Sequence, residues 1–260
     1  MNIINKNHEI IHLIKEINKT NKHPKLIVSD DLEVLKIANK LEYEIPYLLS
    51  CYELEYKPDT ELLLTNLQKQ AKEYYFISSN TYDQIKTKEN HAGIIAVIKL
   101  KEYDFNSLGD FIVVLDHLEI PGNIGTIYRT LDACKATGVI LVDPISKPNN
   151  PKLIAASRGT NLIIPTVSAT YEEALKYLLT NGYDIYLGEP ELGLNYQEYN
   201  YQGKIALVVG NERFGINSSW YDNPHKKVFI PMSGSNNSLN VGVAASILAY
   251  EAAMKRNNFK

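Results

Sequence analysis

Hydrophobic and polar positions along the chain follow two rhythms. Ile11, Ile14 and Ile17 recur at helical spacing in a polar background, so residues 8–19 are expected to form an amphipathic helix. A short apolar run at 26–28 reads as a buried strand, and Asp30 or Asp31 can cap a helix reaching about Leu41. The same reading predicts strands at 45–49, 74–77 and 93–100, and helices at 61–72 and 82–86. Beyond these, strands are expected at 111–115, 139–142, 163–167, 184–187 and 205–209, and helices at 123–135, 151–157 and 171–179. A long loop runs on to Lys226, and the strand 228–230 stops at Pro231, which offers the ladder no N–H. The polar loop 233–238 then feeds a helix from Leu239 to Met254, with Ser238 or a neighbouring Asn as its cap. Apolar strands alternating with helices predict an α/β fold with a parallel sheet covered on both faces.

Glycine usage divides the chain. Of 14 glycines only Gly93 precedes residue 109, so two domains are expected, 1–104 and 105–260, joined through the polar stretch 101–108. Composition is ordinary, with 45% apolar and 22% charged residues, and the net charge of −3 carries no global sign of a nucleic-acid binder. Cys51 and Cys134 match no ligand spacing and fit a reducing compartment. No apolar signal region follows Met1, and the run 241–254 is too short to span a bilayer, so a cytoplasmic protein with no membrane partner is expected. The small residues Gly242, Ala244, Ala245, Ala249, Ala252 and Ala253 leave the last helix thin. Its apolar residues cover more faces than one core needs, which predicts a homodimer.

Several patterns fail on inspection. His8-Glu-Ile-Ile-His12 has the spacing of a helical zinc motif, but nothing specifies the third ligand, so no metal is expected. Gly210 to Gly215 has P-loop glycine spacing, yet Ile216 and Asn217 stand where Lys and Ser/Thr are required. Neither a G-x-G-x-x-G after a strand nor a G-x-S-x-G elbow is present.

Three other segments each follow a strand of the second half. They are Gly122-Asn123-Ile-Gly125-Thr-Ile-Tyr-Arg129, Gly210-Asn211-Glu212-Arg-Phe-Gly215, and Ile230-Pro-Met232-Ser-Gly234 running into Ser238-Leu239-Asn240-Val241. Ligands of parallel α/β sheets bind beyond the carboxyl ends of the strands, so the three should converge on one edge. Each glycine permits a sharp turn or the close approach of a bound molecule. The chain has 27 basic residues but only four arginines, Arg129, Arg158, Arg213 and Arg256, and two lie in these segments. Such sparing use points to sites that need a planar, two-donor guanidinium, and for Arg129 to phosphate.

In order and spacing, N-x-G-x-x-x-R, G-N-E-x-x-G and I-P-M-x-G-x-x-x-S-L-N-V resemble the three motifs of the SpoU (TrmH-type) branch of the SPOUT RNA methyltransferases. Gly242 departs from the pattern, since many members have Ser there. The resemblance implies a C-terminal SPOUT domain with a deep trefoil knot and a small N-terminal ribosomal-protein-like domain that recognises RNA. It implies methyl transfer from S-adenosylmethionine to a ribose 2′-hydroxyl of rRNA or tRNA, by a homodimer. Asn123, Arg129, Glu212, Ser238 and Asn240 would be catalytic. Leu187, Gly188, Gly210, Asn211, Ile230, Met232 and Leu239 would hold the cofactor. A base methyltransferase, a non-catalytic RNA-binding relative and a small-molecule methyltransferase are the alternatives.

Overall fold

The computed structural model describes residues 2–20, 22–87, 92–257 and 259. The chain divides into two compact units: Met1–Lys101 with Asn149–Ile163, and Glu102–Pro148 with Ile164–Lys260.

The first unit contains α1 (Glu9–Lys19), β1 (Leu26–Ser29), α2 (Leu32–Lys40), β2 (Ile45–Cys51), α3 (Pro58–Gln70), β3 (Ala71–Ile77), α4 (Ser79–Asp83) and β4 (Ile94–Lys99). Its four strands lie in the order β1-β4-β2-β3. The pairs β1–β4 and β2–β4 are antiparallel, and β2–β3 is parallel. Strand periodicity sorts the core: Ile94, Ala96 and Ile98 join α2 and α3 in one cluster, while Ile95 and Val97 join α1 in the other.

Element ends follow cap chemistry more than periodicity. Pro58 starts α3 three residues before the first expected helical position, its missing N–H being harmless in a first turn. β3 follows at once, from Ala71 rather than Tyr74. Ser78 accepts from Thr81 N and starts α4 at Ser79, three residues early as well.

The second unit holds β5 (Phe111–Asp116), α5 (Pro121–Ala133) and β6 (Gly138–Val142). The chain then leaves it for α6 (Pro151–Ser157) and a 3-10 turn at Thr160–Leu162, both grouped with the first unit. That segment had read as an ordinary part of the second half. Ile154 and Leu162 pack into the α2–α3 cluster, and the buried Tyr43 hydroxyl donates to Leu162 O at 2.7 Å. Gly159 is needed here. Its φ is +87°, and an added Cβ would stand 3.1 Å from the Cα of Val34.

The chain returns with β7 (Thr166–Ala169), α7 (Tyr171–Thr180), β8 (Asp184–Glu189), the short β9 (Leu194–Asn195), β10 (Ile205–Val209), β11 (Lys226–Phe229) and α8 (Val241–Lys255). Its seven strands run β7-β6-β5-β10-β8-β11-β9, and every pairing is parallel. β5, β6 and β10 are buried along their whole length, as a sheet covered on both faces requires. α7 packs on one face through Ala174 and Leu178, and α8 meets β8, β10 and α5. The expected helix start at Leu239 moves to Val241, because the Asn240 side chain accepts from Gly242 N and Val243 N. Among the described residues, no helix is long and apolar enough to cross a membrane.

Tyr43→Phe should destabilise the first unit by about 1–3 kcal/mol, since Leu162 O would lose its buried donor. A urea melt followed by circular dichroism checks this, and an unchanged midpoint would show that the bond contributes nothing.

Candidate active site

Parallel strands deliver the loops after β5, β8, β10 and β11 to the same sheet edge. A cavity of about 540 Å³ opens there, and residues of all four loops and of the start of α8 line it.

The Glu212 carboxylate ties the polar side together. Oε1 accepts from Asn123 Nδ2 at 2.8 Å and from Ile120 N at 3.3 Å, while Oε2 accepts from Glu119 N at 3.3 Å. Asn123 Oδ1 in turn accepts from Asn240 Nδ2 at 3.1 Å. One chain of hydrogen bonds thus links the β10 loop, the start of α5 and the cap of α8.

The loop 210–215 is rigid by its own chemistry. Asn211 and Gly215 exchange two backbone hydrogen bonds of 2.9 Å. The Asn211 side chain accepts from Arg213 N at 2.8 Å and donates to His117 O at 2.8 Å. A Cβ on Gly210 would stand 2.1 Å from the carbonyl carbon of Gly215. The glycine therefore serves the loop's own turn, and a substitution there would distort the protein before any ligand was touched.

Buried at the end of β5, Asp116 accepts from Asn217 N at 2.7 Å and so anchors the far end of the loop. Burial pushes its carboxyl above the usual carboxylate range.

Of the residues singled out in the sequence, Asn123, Gly188, Gly210, Asn211, Glu212, Ile230, Met232, Ser238, Leu239 and Asn240 line the cavity. Leu187 does not; it is buried in the sheet core. Arg129 is also outside the lining, exposed six residues along α5 from Asn123, and has no hydrogen bond or ion pair among the described residues. Arg256 has a different use: its guanidinium pairs with Asp110 at 2.7 Å and donates to Tyr201 O at 3.1 Å. The helical zinc pattern dissolves, because His8 caps α1 by accepting from Ile10 N.

A model of the SpoU rRNA Methylase family matches residues 110–250, more than half of the chain and the whole of this site. The chain belongs to that family. This SpoU-family chain is 30% identical over 176 residues to a 23S rRNA (guanosine(2553)-2′-O)-methyltransferase of Bacillus subtilis (strain 168), covering 68% of the chain and 71% of that protein. It is 29% identical over 252 residues to a 23S rRNA (adenosine(1067)-2′-O)-methyltransferase of Streptomyces laurentii, covering 93% of the chain and 92% of the relative. The AdoMet-bound rRNA methyltransferase from Sinorhizobium meliloti shares the fold, with a TM-score of 0.84 over 99% of both chains at 21% identity.

The SpoU motifs do not contain every residue at the cavity. Glu189, Pro190, Val228, Ala244 and Leu248 also line it, and Arg213 does so from a variable position of the second motif. Glu189 ends β8 and accepts from the Tyr221 hydroxyl. The rule that ligands sit beyond strand ends would have flagged it, had β8 been drawn two residues longer.

Asp116→Asn tests the anchor. The folded carboxyl pKa is raised, so the stability this group contributes is present at low pH and lost as pH rises through the folded value. Relative to Asp116→Asn, the wild type should therefore lose stability as pH rises beyond the ordinary carboxylate range. Parallel thermal melts across pH would show it, and a pH-independent difference would contradict the raised pKa.

Proposed function

We propose that this SpoU-family chain transfers a methyl group from S-adenosylmethionine to a ribose 2′-hydroxyl of ribosomal RNA. The observation that carries this reading is the Glu212–Asn123–Asn240 network on one side of the cavity, in a chain of the SpoU family. The Streptomyces laurentii relative, named for 23S rRNA, matches across both units and so favours rRNA over tRNA.

The cavity suits the cofactor. Its volume of about 540 Å³ is that of a small-molecule site, and Val228, Ile230, Leu239 and Leu248 supply apolar wall for a purine. Gly188, Gly210, Asn211 and Met232 complete the binding surface. When bound, S-adenosylmethionine supplies a methyl group already activated on a sulfonium.

The remaining work is alignment and charge stabilisation. Glu212 is not the base. Both its oxygens accept hydrogen bonds, and its role is to fix Asn123 and the loop. Asn240 spends its oxygen on the α8 cap and its amide on Asn123, so it positions the acceptor side through Asn123. Ser238 is exposed at the cavity and offers a hydroxyl to the acceptor ribose. Arg129 remains protonated and cannot take a proton. Its free guanidinium clamps the neighbouring RNA phosphate and steadies negative charge on the 2′-oxygen, whose proton passes to phosphate or water.

The first unit acts as the RNA-recognition domain. The order β5-β10-β8, with β10 entering after β8, supports a deep trefoil knot at this edge. Val243, Tyr250 and Met254, exposed on α8, support a homodimer. A cytoplasmic location follows from the RNA substrate.

The decisive assay incubates the protein with labelled S-adenosylmethionine and unmodified rRNA, then digests the RNA to nucleosides. Label on 2′-O-methylribose is expected; label on a nucleobase would contradict the reaction. Arg129→Lys keeps the charge but loses the planar fork, and should lower turnover by about 10²–10³ while leaving cofactor affinity unchanged. Near wild-type turnover, or a defect confined to cofactor binding, would remove this role. Light scattering should show a dimer at micromolar concentration, and a fully active monomer would refute it.

A further inference from the structure

Phe214 is 80% exposed, more than any other large hydrophobic residue described as exposed. The backbone that carries it is held. Phe214 N and Arg213 N both donate to Asn211 Oδ1, at 3.2 and 2.8 Å, and the loop is closed by the Asn211–Gly215 pair. The fold thus holds the backbone at the tip of the loop that carries Glu212 and presents the Phe214 ring to water, where no aromatic or cationic group among the described residues covers it.

Arg213 stands beside it, exposed and lining the cavity, with no acidic partner among the described residues. Arg213, like Arg129 and Arg158, meets no carboxylate among the described residues, whereas Arg256 is paired; of the three unpaired arginines, Arg213 is the one that lines the cavity. An exposed flat ring on a held backbone and a free planar cation side by side match one chemistry well. That chemistry is a nucleotide, whose base offers a π-face and whose phosphate accepts from a guanidinium. A second copy of the chain would cover the ring but gives no reason for the uncompensated charge.

We propose that Phe214 and Arg213 form a landing platform for the acceptor RNA. Phe214 stacks on an unpaired nucleobase next to the methylated nucleotide, and Arg213 contacts a phosphate of the same segment. The inference rests on the RNA methyl-transfer reading, and extends it to two residues that hold the acceptor rather than the methyl donor.

The test uses the full-length chain, unmodified 23S rRNA as substrate, and calorimetry for S-adenosylmethionine. Phe214→Ala and Phe214→Leu should each raise the KM for RNA on the order of tenfold, because one base loses its stacking partner. Phe214→Trp, which keeps a π-face, should stay within about twofold of wild type. Cofactor affinity should not change in any of the three. Arg213→Ala should weaken RNA binding and lower the salt-dependence slope by about 1. The platform is overturned if Phe214→Leu matches wild type, since apolar bulk would then suffice. It is equally overturned if Phe214→Ala leaves the RNA KM unchanged, and a smaller mass in light scattering would then assign the ring to contact between copies. A wild-type protein that methylates no RNA removes both readings; an active wild type with indifferent variants removes the platform alone.

Discussion

A carboxylate at the edge of a protein core must be given hydrogen-bond donors, or its lost hydration goes uncompensated. Glu212 finds three: the Asn123 amide and the backbone N–H groups of Glu119 and Ile120. Two of them belong to the stretch that leads from β5 into α5, so the carboxylate holds that stretch against the β10 loop. Asn123 then hands the constraint to Asn240, whose oxygen caps α8. Three loops spread over more than one hundred residues of chain are therefore tied together through one carboxylate. The parallel sheet makes this possible by ending all the relevant strands at one edge.

The four arginines show how little residue type says about role. Arg256 is nearly buried, clasps Asp110 and the backbone after β9, and locks the end of α8 onto its own unit. Arg129 and Arg213 are exposed and unpaired among the described residues. Arg158 caps α6 in the left-handed region, with φ at +53°. Rarity alone treated them as one class; surroundings separate a structural clasp from cations left available for a ligand.

What could be read in the sequence was what local chemistry controls. The strands 111–115, 139–142 and 205–209 stand out because nothing polar interrupts them, and each is found within a residue of the expected ends. The three motifs were legible because glycine, asparagine and arginine at fixed spacing are seldom neutral. Helix starts were less legible, since Pro58, Ser78 and Asn240 set them by capping while periodicity speaks only for the middle of a helix. Long-range placement was not legible at all. Ile154 and Leu162 have the same apolar character whichever core they enter, and only the tertiary structure sends them to the first unit. For the same reason, nothing in its spacing from Asn123 shows that Arg129 lies outside the cavity lining.

That excursion of Asn149–Ile163 has a consequence for how the protein is made. A ribosome releases the chain from its N-terminus, and domains ordinarily fold in the order they emerge. Here the first unit lacks Ile154, Leu162 and the acceptor for Tyr43 until residues well past β6 have left the exit tunnel. By then β5, α5 and β6 have already been synthesised. The earlier unit cannot be finished before the later one has started, so neither can be cut away as a free-standing module by a single break in the chain.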